Sequence, residues 1–143
     1  MLKDKLQLIS EENRLGFLPH FFENDFIVFE STLYKLMEAN SEDYTGGYYD
    51  YYLTDNGAPM ILLAEEGDFH VAVESNYFFG KMDIGIYSAA TMTLATNLMS
   101  WRAYENNDEV ASAKYTKYYY DQRNWAERVL SQDEFNLYSQ FLD

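Results

Sequence analysis

The chain contains no cysteine, which removes disulfides and thiolate metal sites from its possible chemistry. Histidine is nearly as scarce, with only His20 and His70. His20 and Glu23 stand three residues apart, but no second ligand pair follows and no H-E-x-x-H occurs, so no metal site is expected. The nucleophile elbow G-x-S-x-G and the glycine-rich phosphate and dinucleotide loops are also missing. Gly46-Gly47 lacks the lysine of a phosphate loop and follows Glu42-Asp43, which would repel phosphate. Carboxylates are abundant, but no two are set apart as an acid–base pair. No catalytic residue and no cofactor is therefore expected. A small carboxylate-dependent hydrolase stays open as a minor reading.

Prolines number two and glycines seven, scattered along the chain without forming a linker or repeat. A length of 143 residues suits one domain, 1–143. An apolar content of 48% is enough for a core. Long apolar runs are lacking. The beginning, Met1-Leu2-Lys3-Asp4-Lys5-Leu6, carries no signal-peptide stretch. The most apolar segment, 84–101, holds Ser88, Thr91, Thr93, Thr96, Asn97 and Ser100, too polar for a lone membrane span. The expectation is a cytoplasmic protein without membrane contact.

Positive charge is in short supply. Ten basic residues stand against 24 acidic ones, for a net charge of -14. Such a surface repels nucleic acid and anionic membranes, and it favours basic proteins or proteins whose basic groove holds DNA. The imbalance is local. Between Pro19 and Gly80 there are twelve acidic residues and one basic, Lys35. From Trp101 to Asp143 there are eight acidic and five basic residues, an ordinary mixed surface.

Aromatic residues are plentiful, with 14 tyrosines, seven of them in local clusters at 48–52 and 118–120. Tyrosine offers contact area at little entropic cost and is favoured at interfaces. Base stacking is rejected, because no basic groove accompanies the rings.

The spacing predicts a short helix over Leu2–Leu15, stopped by Gly16 and Pro19. Asn24 is placed as the cap of a second helix with Phe26, Phe29, Leu33 and Leu36 as its apolar stripe. Strands are expected at Tyr48–Leu53, Met60–Ala64, Phe69–Glu74 and Tyr77–Met82. Turns at Asp55-Asn56-Gly57, at 65–68 and at Ser75-Asn76 join them into an antiparallel meander. On the first strand Tyr49, Tyr51 and Leu53 share one face. Tyr48, Asp50 and Tyr52 share the other, taken as the outer one. Asp83 caps a central core helix with Tyr87, Ala90, Leu94, Leu98 and Trp101 in line. A further helix runs from about Asp108 with Ala111, Tyr115, Tyr118, Trp125 and Val129 inward. Ser131 and Glu134 form a capping box for a last helix carrying Phe135, Tyr138 and Leu142. The fold class is α+β: a small antiparallel meander of three to four strands packed with flanking and C-terminal helices.

The order of short motifs then becomes informative. Arg14-Leu15-Gly16-Phe17-Leu18-Pro19 is followed by Phe29-Glu30 and Tyr34, by Tyr44-Thr45-Gly46-Gly47-Tyr48-Tyr49-Asp50-Tyr51-Tyr52, and by Asn56-Gly57. Asn76-x-Phe78-x-Gly80 and Ala89-Ala90 come later. This succession resembles the ArdB/KlcA family of anti-restriction proteins, over Arg14 to about Leu98. The family reads R-x-x-F-L-P, F-E-x-x-x-Y, Y-x-G-G-x-W-x-F-Y, N-G-G, N-x-F-x-G and A-A-G. Tyr49 stands in place of the tryptophan, Ala58-Pro59 follow the turn instead of glycine and an aromatic, and Thr91 replaces the last glycine.

The resemblance implies a compact α+β domain without catalytic residues or cofactors. It implies a mobile-element protein that protects incoming DNA from type I restriction enzymes, by binding the enzyme or a host factor. An acidic mimic of DNA that blocks a DNA-binding protein is the alternative. The contact residues expected are Asp43, Tyr48, Asp50, Tyr52, Asp55, Glu65 and Glu66.

Overall fold

A computed structural model describes residues 2–143. The order of elements is α+β, as the patterning implied, with all five strands before residue 84 and three helices after them.

The N-terminal segment departs from the expected helix. Leu2–Lys5 forms one 3-10 turn, and β1 (Gln7–Leu8) pairs antiparallel with β2 (Tyr49–Leu53). Ile9 extends this pairing by donating its N–H to the Tyr51 carbonyl at 2.8 Å. The open edge of β2 has backbone groups to satisfy, and the N-terminal residues supply them. Ser10, in extended conformation, then begins α1 (Glu11–Phe22).

Neither Gly16 nor Pro19 stops α1. Proline removes one helical hydrogen bond, to the carbonyl of Leu15. Leu15 is 93% exposed, so water can take that carbonyl. The helix ends one turn later, where Glu23 adopts φ 49° and donates to the Pro19 carbonyl.

A 3-10 turn, Glu23–Asp25, leads into α2 (Phe26–Ala39). Asn24 is not its cap; Asp25 holds that position without a capping hydrogen bond. The Asp25 carboxylate is occupied elsewhere. It accepts from Tyr115 Oη at 2.7 Å and from Arg102 at 3.2 Å. Phe22 and Phe29 stack with centroids 3.9 Å apart and lock α1 to α2. Phe29, Leu33 and Met37 are the buried row of α2, while Phe26 and Leu36 are half-buried at its margin.

β2 and β3 (Pro59–Leu63) form a hairpin in the register Tyr49↔Leu63 to Leu53↔Pro59. Gly57, at φ 88°, closes the turn and donates to the Thr54 carbonyl at 3.0 Å. The expected meander is divided here. β4 (Asp68–Val73) and β5 (Phe78–Asp83) form a second, two-stranded sheet instead of extending the first.

The reason lies at the far edge of β3, whose five residues are all buried. Ser88 Oγ accepts from the Leu63 N–H at 3.1 Å, and Gln122 Nε2 donates to the Pro59 carbonyl at 2.9 Å. Helical side chains thus stand where another strand would pair.

Asp83 caps α3 (Ile84–Glu105), its carboxylate accepting from the Ile86 N–H at 3.1 Å. This helix is the core of the molecule, buried around most of its circumference through Met99. The row drawn through Leu98 and Trp101 is wrong at its end, since those two are 41% and 56% exposed. Ala95, Met99 and Ala103 carry the buried side instead.

α4 (Glu109–Val129), capped by Asp108, buries Ala111, Tyr115 and Trp125. α5 (Gln132–Leu142) begins with the Ser131/Glu134 capping box. Tyr138 and Phe141 are fully buried in α5, with Phe135 and Leu142 half-buried beside them.

Candidate functional site

Four of the seven expected contact residues line one cleft of about 620 Å3. Asp50 and Tyr52 reach it from β2, and Glu65 and Glu66 from the loop after β3. Gly67, at φ 119°, turns that loop back into β4. Two acids not anticipated for the site complete the wall, Asp83 at the start of α3 and Glu134 at the start of α5. The sequence marks Asp83 as a helix cap and Glu134 as the partner of Ser131 in a capping box, and both features mark where a helix begins. What the linear sequence did not reveal is that the two beginnings converge.

Five carboxylates therefore surround the cleft, against Lys3 on its rim and Arg14 behind Asp50. Three of them have intramolecular duties. Asp50 pairs with Arg14 at 2.5 Å. Asp83 caps α3, and Glu134 accepts the Ser131 N–H at 2.9 Å. Glu66 lies 3.8 Å from Lys3 with both side chains exposed, a weak pair. Glu65 is exposed and has no ion pair among the described residues. The loop acids Glu65 and Glu66 are thus the groups most available to a cationic ligand.

Tyr52 corrects the assignment of an outer strand face. It is 5% exposed, and burial pushes its hydroxyl pKa up. Both faces of β2 are covered. Phe17 of α1 packs on Tyr51 at 5.3 Å, and Tyr34 of α2 packs on Tyr49 at 5.3 Å. The Leu2–Lys5 turn lies beside Asp50 and Tyr52 on the opposite side. Tyr48, one residue before the strand, is the exception at 90% exposed.

The other two expected residues lie apart from the cleft. Asp55, in the β2–β3 turn, accepts both Arg128 nitrogens at 2.7 and 2.8 Å. The Arg128 hydrogen bonds hold its carboxyl below the usual aspartate range. Asp43 accepts the His70 backbone N–H at 2.7 Å and contacts His70 Nδ1 at 3.0 Å. The backbone hydrogen bond, then the ring contact, lowers the Asp43 pKa. Asp43 and His70 line a separate groove beside β4.

The glycine pair has a structural role. Gly46 and Gly47 have φ of 92° and 136°, and a Cβ on Gly47 would come within 3.1 Å of Leu63 Cδ1. They lead the chain past Tyr34, Tyr44 and Tyr49, where the Tyr44 and Tyr49 hydroxyls share a hydrogen bond of 2.8 Å. Burial, then Glu30, pushes the Tyr34 phenol up to about 12. Arg14, from another of the short motifs, joins this region through its pair with Asp50 and by lying 5.9 Å from the Tyr51 ring centre. The motif residues Arg14, Tyr34, Tyr44, Gly46, Gly47 and Tyr49 thus hold α1, α2 and β2 together.

Among the described residues, no group of three or more histidines and acids is arranged to hold a metal ion. No helix there is long and apolar enough to cross a membrane.

The protein-family models yield no match to the chain. YubI of Escherichia coli (strain K12), which bears the name "Putative antirestriction protein YubI", is 29% identical over 102 residues, 70% of each chain. A solved structure from work on KlcA and ArdB superposes with a TM-score of 0.82, covering 96% of this chain and 94% of that one at 23% identity. Those proteins are described as having antirestriction activity against type I DNA restriction systems in vivo but not in vitro. The chain has their fold, and the comparisons agree with the resemblance carried by its motifs.

Proposed function

We propose that the chain is an anti-restriction protein, protecting incoming DNA from type I restriction enzymes by binding and not by catalysis. The supporting observation is the agreement of fold, motif order and similar proteins on one group whose named activity is antirestriction. The cleft fits a binding role. Its carboxylates come from four separate elements and face a common space, which suits recognition of basic side chains. Asp50, Asp83 and Glu134 are held by partners within the chain, so they act as fixed negative charges.

The partner in this reading is the restriction enzyme or a host factor through which it is controlled. Activity of the similar proteins in vivo but not in vitro favours the host factor. Imitation of a DNA duplex is disfavoured by the placement of the acids. Asp25, Asp50 and Asp55 are each paired with an arginine, and Glu23 with Lys114, so the negative segment is not an unbroken row of free charges.

The test is the plating of unmodified phage on a type I restricting host, with and without the protein. Equal plating efficiency would sink the reading. A Glu65→Lys/Glu66→Lys variant tests the cleft. Protection should fall at least tenfold while the fold is kept, and full protection would remove the cleft from the mechanism.

A further inference from the structure

The second sheet has two edges, and they are treated differently. Ile84 donates its N–H to the Gly67 carbonyl at 2.9 Å, which fixes the phase of the β4–β5 ladder. Hydrogen-bonded pairs recur at every second residue of an antiparallel ladder. Phe69↔Met82, Val71↔Gly80 and Val73↔Phe78 are therefore the bonded pairs. The peptide groups of Asp68, His70 and Ala72 point away from β5, and those of Phe79, Lys81 and Asp83 point away from β4.

On the β4 side both outward groups of His70 and the outward N–H of Ala72 are met. Asn40 O accepts from the Ala72 N–H at 2.9 Å, Asp43 accepts from the His70 N–H, and Ser41 Oγ donates to the His70 carbonyl at 2.8 Å. The outer edge of β3 is met by Ser88 and Gln122. On the β5 side no acceptor or donor among the described residues reaches Phe79 or Lys81. Gly80, between them, is exposed, and a glycine's exposure is that of its backbone. A strand edge left open at Phe79 and Lys81 is a template for another strand, and a two-stranded sheet gains stability from a third.

We propose that the free edge of β5 takes up an extended, cationic segment of a partner protein as an added strand; the proposal rests on the binding function above and adds a surface to it. Tyr77 and Phe79, 87% and 66% exposed, give the incoming strand aromatic neighbours. Charge selects the occupant. Asp68 and Asp83 are directly opposite one another in the register, a like-charge pair that a cation relieves. Glu74 adds a third carboxylate beyond the end of β4. The lysine of this sheet is Lys81, without an ion pair among the described residues, and the His70 ring contacts Asp43. A second copy of the chain would bring its own net charge of -14 to the same edge and is the weaker occupant.

The test uses the whole protein with a ten-residue peptide alternating lysine and threonine, and its glutamate–threonine counterpart. The cationic peptide should slow hydrogen exchange of the Phe79 and Lys81 amides at least tenfold, and the anionic one should not. Lys81→Pro deletes an outward N–H, which an edge strand tolerates, and should weaken peptide binding at least tenfold. Lys81→Ala, which removes a cation, should leave binding unchanged or tighter. Should Lys81→Pro fail to fold, the exchange measurement on the wild type still decides.

Protection mapped only to residues 62–67, equal binding by Lys81→Pro, or no binding would overturn the proposal. So would a dimer paired through β5 that the cationic peptide fails to displace. If the peptide adds to β5 but the protein leaves phage plating unchanged, the anti-restriction reading fails and the strand site stands. If the protein protects while β5 takes no peptide, the reverse holds.

Discussion

Ser88 offers a sharp measure of how helix α3 closes the first sheet. Its hydroxyl donates to the Ile84 carbonyl at 2.8 Å and accepts from the Leu63 N–H at 3.1 Å, with the residue 1% exposed. Ser88→Ala leaves a buried backbone N–H without an acceptor, which costs about 1–3 kcal/mol. Alanine recovers up to about 0.5 kcal/mol through helix propensity. The net loss is about 0.5–2.5 kcal/mol.

A chain of 143 residues unfolds with an entropy of about 0.3 kcal/mol/K. The melting temperature should fall by about 2–8 °C. Ser100→Ala is the matched control on the same helix, because Ser100 donates only to the Asn97 carbonyl at 2.6 Å and serves no strand. It should be neutral or slightly stabilising. Urea unfolding at unchanged slope measures both variants, and hydrogen exchange at Leu63 reports the lost bond directly. If Ser88→Ala proves as stable as Ser100→Ala, the account of why the strands divide into two sheets is refuted.

Other expectations concern charge and helix ends. Asp43 and Asp55 have folded-state pKa values below the ordinary 3.8, so the stability they contribute is complete above that value and lost as pH falls through their folded values. Carboxyl NMR titration should give both midpoints below 3.8, and Arg128→Gln should return Asp55 alone to the ordinary range. Burial, then Glu30, moves the Tyr34 phenol from 10.0 to about 12; its contribution is complete below pH 10 and is lost as pH rises toward 12, so alkaline unfolding should track ultraviolet ionisation of tyrosine. Ser131→Ala removes half of the α5 capping box and should cost about 1 kcal/mol, seen as a melting shift of about 3 °C.

Features set by neighbouring residues were readable from the sequence. Asp83 and Ser131 each cap the helix assigned to them, because a cap needs only a short polar side chain and the next turn of backbone. The Asp55-Asn56-Gly57 turn is equally local. β1 was not readable, since its two residues are a strand only because β2 has an edge to fill. Tyr52 was placed outside for the same kind of reason. Alternation tells which residues share a face, but not that the Leu2–Lys5 turn covers it. The acidic segment was evident, while the cleft required α3 and α5 to begin near one another, some fifty residues apart in sequence.

The distance over which the ion pairs reach has a consequence for synthesis. Asp25 waits for Arg102, Glu23 for Lys114, and Asp55 for Arg128. The cations that settle the acidic half emerge from the ribosome last. Until then the nascent chain carries its negative charge unbalanced and also lacks the buried α3 and α4 rings. Self-repulsion keeps that segment open and soluble. The ion pairs of the acidic half therefore close only when the final helices are in place.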